Sequence, residues 1–185
     1  MTERIIMAGS GGQGMMLIGK IVATAAMEQG LETTFFPSYG AEVRGGTAHC
    51  HVVVSDAPIH SPIVESADAL VLMNQPSYEK FRPRLREGGL LLLNTSMARL
   101  SESLERSNRV LRLEVPATAM ADSLGNVRVA NVVMLGAYMG ARALLSPDVV
   151  FRELERELSG AKASLLEVNR MAFRRGLDLA LANRP

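Results

Sequence analysis

Six residues near the N-terminus, Gly9-Ser10-Gly11-Gly12-Gln13-Gly14, constrain the fold of this chain more than any others. They follow an apolar, strand-like run, Arg4–Ala8, and open a helix-like stretch from Met15 to Gln29. Strand, glycine-rich turn and helix in that order begin a parallel α/β unit. Glycines admit the tight turn and let a phosphate or a partner backbone approach the main chain. The amides at the helix start, with the positive end of its dipole, favour an anion there. A tight turn that binds nothing is the structural alternative. The spacing also fits Gly-x-Gly-x-x-Gly. A dinucleotide site, however, expects an acidic residue about 20 residues further on, at the end of the second strand. Here that strand reads Glu32-Thr33-Thr34-Phe35-Phe36 and runs into Pro37-Ser38, with no carboxylate at its end. An independent NAD site is therefore disfavoured.

Beyond this unit the pattern keeps alternating. Strands are predicted over 32–36, 48–55, 68–73, 90–93 and 110–115. The short, wholly apolar runs 68–73 and 90–93 suit strands buried on both faces. Helices are predicted over 76–86, 117–123, 130–145, 147–158 and 162–182, the first with Pro76 at its start and Gly88-Gly89 past its end. A length of 185 residues, with no linker or repeat, suits one domain over 1–185. The fold class is α/β: a Rossmann-like, doubly wound, mainly parallel sheet with a helical C-terminal segment.

Composition removes several functions. A net charge of +1 gives no strong field toward nucleic acid or an anionic membrane, and scarce aromatics argue against base stacking. One thiol, Cys50, cannot hold an iron–sulfur cluster or structural zinc. His49 and His51 share one face of a strand with Cys50 on the other, and no nearby carboxylate completes a metal site. The chain offers no room for a signal peptide before its first strand and no run long enough to span a bilayer, so a cytoplasmic protein is expected. No nucleophile–His–Asp set or carboxylate pair is present, and no catalytic or metal-ligating residue is assigned.

The second constellation is Pro37-Ser38-Tyr39-Gly40-Ala41-Glu42-Val43-Arg44-Gly45-Gly46-Thr47. It packs a phenol, a carboxylate, a guanidinium, hydroxyls and glycines into a loop between two strands. In a parallel arrangement this loop leaves the same sheet edge as the Gly9–Gly14 turn, where such folds bind ligands. Arg44 suits bidentate contact with a phosphate or carboxylate. A solvated loop with a weak Glu42–Arg44 pair is the plain alternative. The candidate binding residues are Gly9, Gly11, Gly12, Gln13, Gly14, Ser38, Tyr39, Gly40, Glu42, Arg44, Gly45, Gly46 and Thr47.

Together these segments resemble the gamma subunit of the 2-oxoacid:ferredoxin (or flavodoxin) oxidoreductases. The carrying residues are Gly9–Gly14 and Pro37–Thr47, followed by Val52–Asp56, Ser61-Pro62, Asn74-Gln75-Pro76-Ser77, Lys80-Phe81, Asn131, and Asn169, Ala172-Phe173 and Gly176. Ala41 and Ser10 depart from the residues frequent in the family. The resemblance implies a complex that decarboxylates a 2-oxoacid on thiamine diphosphate and passes electrons through iron–sulfur clusters to ferredoxin or flavodoxin. Coenzyme A takes the acyl group. Thiamine diphosphate, magnesium and clusters are implied on alpha, beta and delta partners, with no cofactor held by this chain alone. The gamma part is implied to help form the coenzyme A side and the assembly. The separate, short form is similar to 2-oxoglutarate or branched-chain 2-oxoacid enzymes, with 2-oxoglutarate the expected substrate. The small subunit of indolepyruvate oxidoreductase and a stand-alone nucleotide-binding oxidoreductase are the alternatives. Without partners the chain is expected to expose an apolar surface and to form a homodimer.

Overall fold

Strand β1 (Thr2–Ser10) lies near the middle of a six-stranded sheet and feeds helix α1 (Met15–Glu28) through the glycine turn. The computed structural model describes residues 1–38, 47–101, 110–160 and 165–183. The remaining strands are β2 (Glu32–Ser38), β3 (Thr47–Ser55), β4 (Ala67–Leu72), β5 (Leu85–Asn94) and β6 (Leu111–Val115). The further helices among the described residues are α2 (Gln75–Phe81), α3 (Ala117–Ser123), α4 (Ala130–Ala141), α5 (Pro147–Glu157) and α6 (Leu166–Ala182). The sheet order is β2-β3-β1-β4-β5-β6.

Strands β1, β4, β5 and β6 are parallel, as the apolar runs predict, but β3 is antiparallel to both β1 and β2. Residues 39–46 are too few for a parallel crossover, which needs a dozen or more, so the chain returns as a hairpin. Strands β1 and β2 consequently point the same way. Ser10 pairs with Thr47 and Ser38 with His49, so both ends of the 39–46 connection sit at the edge where the glycine turn emerges.

Alternating side chains divide the core. Ile5 and Met7 face α1, α4 and α6, while Ile6 and Ala8 face Tyr78 and Phe81 of α2. Two predicted elements are redrawn by local chemistry. The helix expected over 76–86 stops at Phe81, because Pro83 has no amide to continue the α-helical hydrogen bonds, and a 3-10 turn, Arg82–Arg84, follows. Gly88-Gly89 is not a helix stop: it lies inside β5, where the pairing shifts register as a bulge. Helix α4 ends at Ala141 rather than at 145, and α6 is described from Leu166.

The strand edge opposite the glycine turn is tied by charge. Asp68 is fully buried; it accepts from the Arg4 backbone amide at 2.6 Å and pairs with Arg86 Nη1 at 2.6 Å. Beside it, Arg142 pairs with Glu3 at 3.1 Å. Burial raises the Glu3 carboxyl above its usual range against the pull of Arg142, and burial likewise raises the neighbouring Tyr138 phenol.

Helices α4 and α6 meet backbone to backbone. A methyl group added at Gly176 would overlap the Val133 carbonyl oxygen, and one at Gly136 would overlap the Phe173 carbonyl oxygen. Gly176→Ala must therefore force the helices apart. It is expected to cost about 1–3 kcal/mol or more through overpacking. The thermal midpoint should fall by several degrees, about 2–4 °C per kcal/mol. An unchanged midpoint would contradict the close crossing.

Candidate functional site

The glycine turn is locked from within. Ser10 O accepts from the Gln13 amide at 3.1 Å, and Gln13 Oε1 folds back to accept from the Ser10 amide at 2.7 Å. A methyl group at Gly9 would stand 2.6 Å from Gln13 Oε1 and 3.0 Å from Met73 Cβ, so the side chain fits only over glycine. Asn74, at the end of β4, donates through Nδ2 to Ser10 Oγ at 2.7 Å and to Gln13 Oε1 at 3.3 Å. Its Oδ1 accepts from the Ser77 amide at 3.0 Å and caps α2. Gln13 Nε2 donates to Met97 Sδ at 3.4 Å. Gln13 is thus engaged inside the turn, whereas Gly11 and Gly12 are exposed at its tip.

Helix α1 starts from Gly14, whose φ of 72° lies in the left-handed region, and no side chain caps it. Its first amides face the edge without an acidic neighbour in the first turn. Asn131 Nδ2 donates to Gly14 O at 3.2 Å, binding α4 to the turn. A third amide, Asn94 at the end of β5, donates to Met73 O at 3.1 Å and to Thr118 Oγ1 at 2.9 Å. Asn74 and Asn131 entered the sequence reading only through the resemblance, and Asn94 was missed. The signal was present: an asparagine following an apolar strand, as in Leu70–Asn74 and Leu90–Asn94, places a side-chain amide at the edge of the glycine turn.

Of the sequence-derived candidates, the structure brings Gly9, Gly11, Gly12, Gln13, Gly14, Ser38 and Thr47 to one edge. Tyr39, Gly40, Glu42, Arg44, Gly45 and Gly46 lie outside the described residues. His49 and His51 do share a face: their rings are 5.5 Å apart, and His49 packs 4.8 Å from Phe81. Buried His51 accepts from the Val64 amide through Nδ1 at 3.0 Å. Burial, then His49 and Arg84, push its pKa down to about 4. Cys50 takes the other face, and burial raises its thiol to about 12, so it is no thiolate. No three His, Cys, Asp or Glu side chains converge as metal ligands among the described residues. None of the described helices is long and apolar enough to cross a membrane.

The sequence pattern of the pyruvate ferredoxin/flavodoxin oxidoreductase family matches residues 4–179. The chain belongs to that family. It is 36% identical over 180 residues to ketoisovalerate oxidoreductase subunit VorA of Methanothermobacter marburgensis, covering 97% of this chain but only 37% of VorA. It is 32% identical over 182 residues to 2-oxoglutarate synthase subunit KorC of Methanocaldococcus jannaschii, covering 97% of this chain and 95% of KorC. The gamma subunit of a keto/oxoacid ferredoxin oxidoreductase from Geobacter sulfurreducens has the same fold, with a TM-score of 0.82 at 31% identity over 97% of this chain and 99% of that one. A 2-oxoglutarate:ferredoxin oxidoreductase from Magnetococcus marinus, solved with 2-oxoglutarate, coenzyme A and succinyl-CoA bound, gives a TM-score of 0.87 at 25% identity. The match covers 98% of this chain and 31% of that one. Members of this oxidoreductase family are thus built with this fold both as a separate small subunit and as part of a longer chain.

Two measurements test the site's construction. Gly14→Ala puts a side chain on left-handed backbone and into Asn131 Nδ2. It should destabilise the chain by about 1–2 kcal/mol from backbone strain alone, read by urea unfolding. Truncating Asn131 as well should recover only the part due to the overlap. His51 supplies a pH dependence. Its folded pKa of about 4 lies below the ordinary 6.5, so the unfolded chain takes up the proton first as pH falls. Stability is full above about pH 6.5 and drops by about 1–3 kcal/mol between pH 6.5 and 4. His51→Gln should flatten that segment of the stability–pH curve; an unaltered slope would contradict a buried neutral imidazole.

Proposed function

We propose that residues 1–185 form the gamma subunit of a thiamine-dependent 2-oxoacid:ferredoxin oxidoreductase complex. The complex converts a 2-oxoacid and coenzyme A to acyl-CoA and carbon dioxide, and two electrons leave to ferredoxin or flavodoxin. Thiamine diphosphate, magnesium and iron–sulfur clusters belong to alpha, beta and delta partners. A chain with one, buried cysteine offers no cluster ligands of its own. The gamma chain acts in the cytoplasm, contributing to assembly and to the coenzyme A side of the active site.

The observation that carries this reading is the single sheet edge that holds both the glycine turn and the two ends of the Ser38–Thr47 segment. Exposed Gly11 and Gly12 and the uncapped start of α1 offer backbone amides to an anion. Arg44 supplies a guanidinium from the segment between. A methyl group at Gly12 would meet nothing within 4 Å among the described residues, although its φ of 86° favours glycine. The gap suits a neighbour from outside. 2-Oxoglutarate is the favoured substrate, because KorC proteins match at nearly their full length, as separate small subunits. VorA matches over 37% of its length. Assays with 2-oxoglutarate, 2-oxoisovalerate, pyruvate and indolepyruvate on the reconstituted complex decide the acid.

Arg44→Ala should raise the KM for coenzyme A at least tenfold or block assembly, since truncating a buried interfacial charge contact costs about 2–5 kcal/mol. Arg44→Lys keeps charge but not the fork and should rescue partially. Gly12→Val should do worse. Should Arg44→Ala change neither assembly nor coenzyme A affinity, the loop is merely solvated. Tight NAD or FAD binding by the lone chain in calorimetry would favour a stand-alone oxidoreductase.

A further inference from the structure

A cleft of about 730 Å³ opens between α2 and residues 95–101, within the volume range of small-ligand sites. Met97 lines it and touches Gln13, so the cleft adjoins the glycine turn. Arg82 is half-buried on its wall. Its guanidinium lies over the buried Tyr78 ring, 5.8 Å from the centroid, and donates from Nη1 to Ser101 Oγ at 2.9 Å. The Tyr78 hydroxyl lies 3.2 Å from Ser101 Oγ and accepts from the Ser101 amide at 3.1 Å. Arg99 stands on the facing wall, its amide donating to Gln75 Oε1 at 2.9 Å.

Two cations, Arg82 and Arg99, line this cleft. Arg4, Arg86, Arg142, Arg152, Arg156 and Arg170 each rest on a carboxylate. Lys80, Arg82, Arg84 and Arg99 have no carboxylate partner among the described residues; Lys80 and Arg84 instead lie over the Phe81 ring, at 5.4 and 5.6 Å. A half-buried guanidinium held by a neutral hydroxyl, with no carboxylate partner among the described residues, is a preorganised anion receptor. Glu79 shares the rim, its Oε1 accepting from Gln75 Nε2 at 3.1 Å. That carboxylate disfavours a broad acidic protein face but leaves room for a compact anion deeper in.

We propose that this cleft binds a phosphoryl group of a small ligand. Arg82 and Arg99 supply the charge, and Tyr78 and Ser101 fix the orientation of Arg82. The phosphoryl group comes either from coenzyme A, which rests on the reading above, or from another phosphorylated metabolite, which does not. Calorimetry on the full chain at low salt, first with inorganic pyrophosphate and then with coenzyme A, tests it. Pyrophosphate should bind, weaken with salt, and lose at least about tenfold in affinity with Arg82→Ala and less with Arg82→Lys. Arg99→Ala, at an exposed side chain, provides a second variant whose thermal midpoint should stay unchanged while binding weakens. Coenzyme A competing with pyrophosphate identifies the first source. Arg82-dependent pyrophosphate binding without competition supports the site and identifies the second. No pyrophosphate binding, or binding indifferent to both arginines, overturns the proposal while leaving the subunit assignment to its own Arg44 test. Loss of complex assembly on Arg82→Ala, with no pyrophosphate bound by the unaltered chain, also overturns it, in favour of an acidic segment of a partner.

Discussion

Asn74 holds the glycine-turn edge together. One side-chain amide closes the β1 turn through Ser10 and Gln13 while its oxygen starts α2 through the Ser77 amide. Asn131 and Asn94 repeat the device at α4 and at the start of α3, joining Gly14, Met73 and Thr118. Each bond alone contributes about 0.5–1.5 kcal/mol, but an amide left unpaired at a buried strand end costs more. The asparagines therefore fix the relative heights of the strand ends with neutral groups, leaving exposed amides and cations to face whatever arrives.

The two edges of the sheet divide the work by chemistry. At the far edge, Asp68 and Glu3 are buried against Arg86, Arg4 and Arg142, so charges are consumed internally. At the glycine-turn edge the described ties are uncharged, and Arg82 and Arg99 in the adjoining cleft have no carboxylate partner among the described residues. Such a polarity lets a nearly neutral chain present local positive potential where the strands end. Removing the arginines would leave the Asp68 carboxylate buried without a counter-charge, whereas Arg4 and Arg86 keep about half of their side chains in water.

Much of this architecture was legible in the residues. The apolar runs at 68–73 and 90–93 gave parallel central strands, and Pro147 marked the start of α5. The hairpin was also written in the chain, in an eight-residue connection too short for a crossover, yet the alternation of strand and helix concealed it. Gly88-Gly89 misled because glycine ends helices and bulges strands equally well, and only the Leu85–Asn94 pairing distinguishes the two. In the site, the glycine turn was found by spacing. That Gly9 makes room for the Gln13 side chain is not visible from sequence, because nothing local reveals it. That Arg82 and Arg99 have no carboxylate partner among the described residues is a tertiary property, invisible in the sequence.

The crossing of α4 on α6 has a mechanical meaning. Where Gly136 and Gly176 place backbone on backbone, no side chain of either lies between the helices to absorb a displacement. Side chains that interlock can slide by re-rotating; peptide planes in contact cannot. At that crossing the two helices are held as a close-set pair. Asn131, near the head of α4, holds Gly14, so the glycine turn is tied by one hydrogen bond to the helix pair that carries the far end of the described chain.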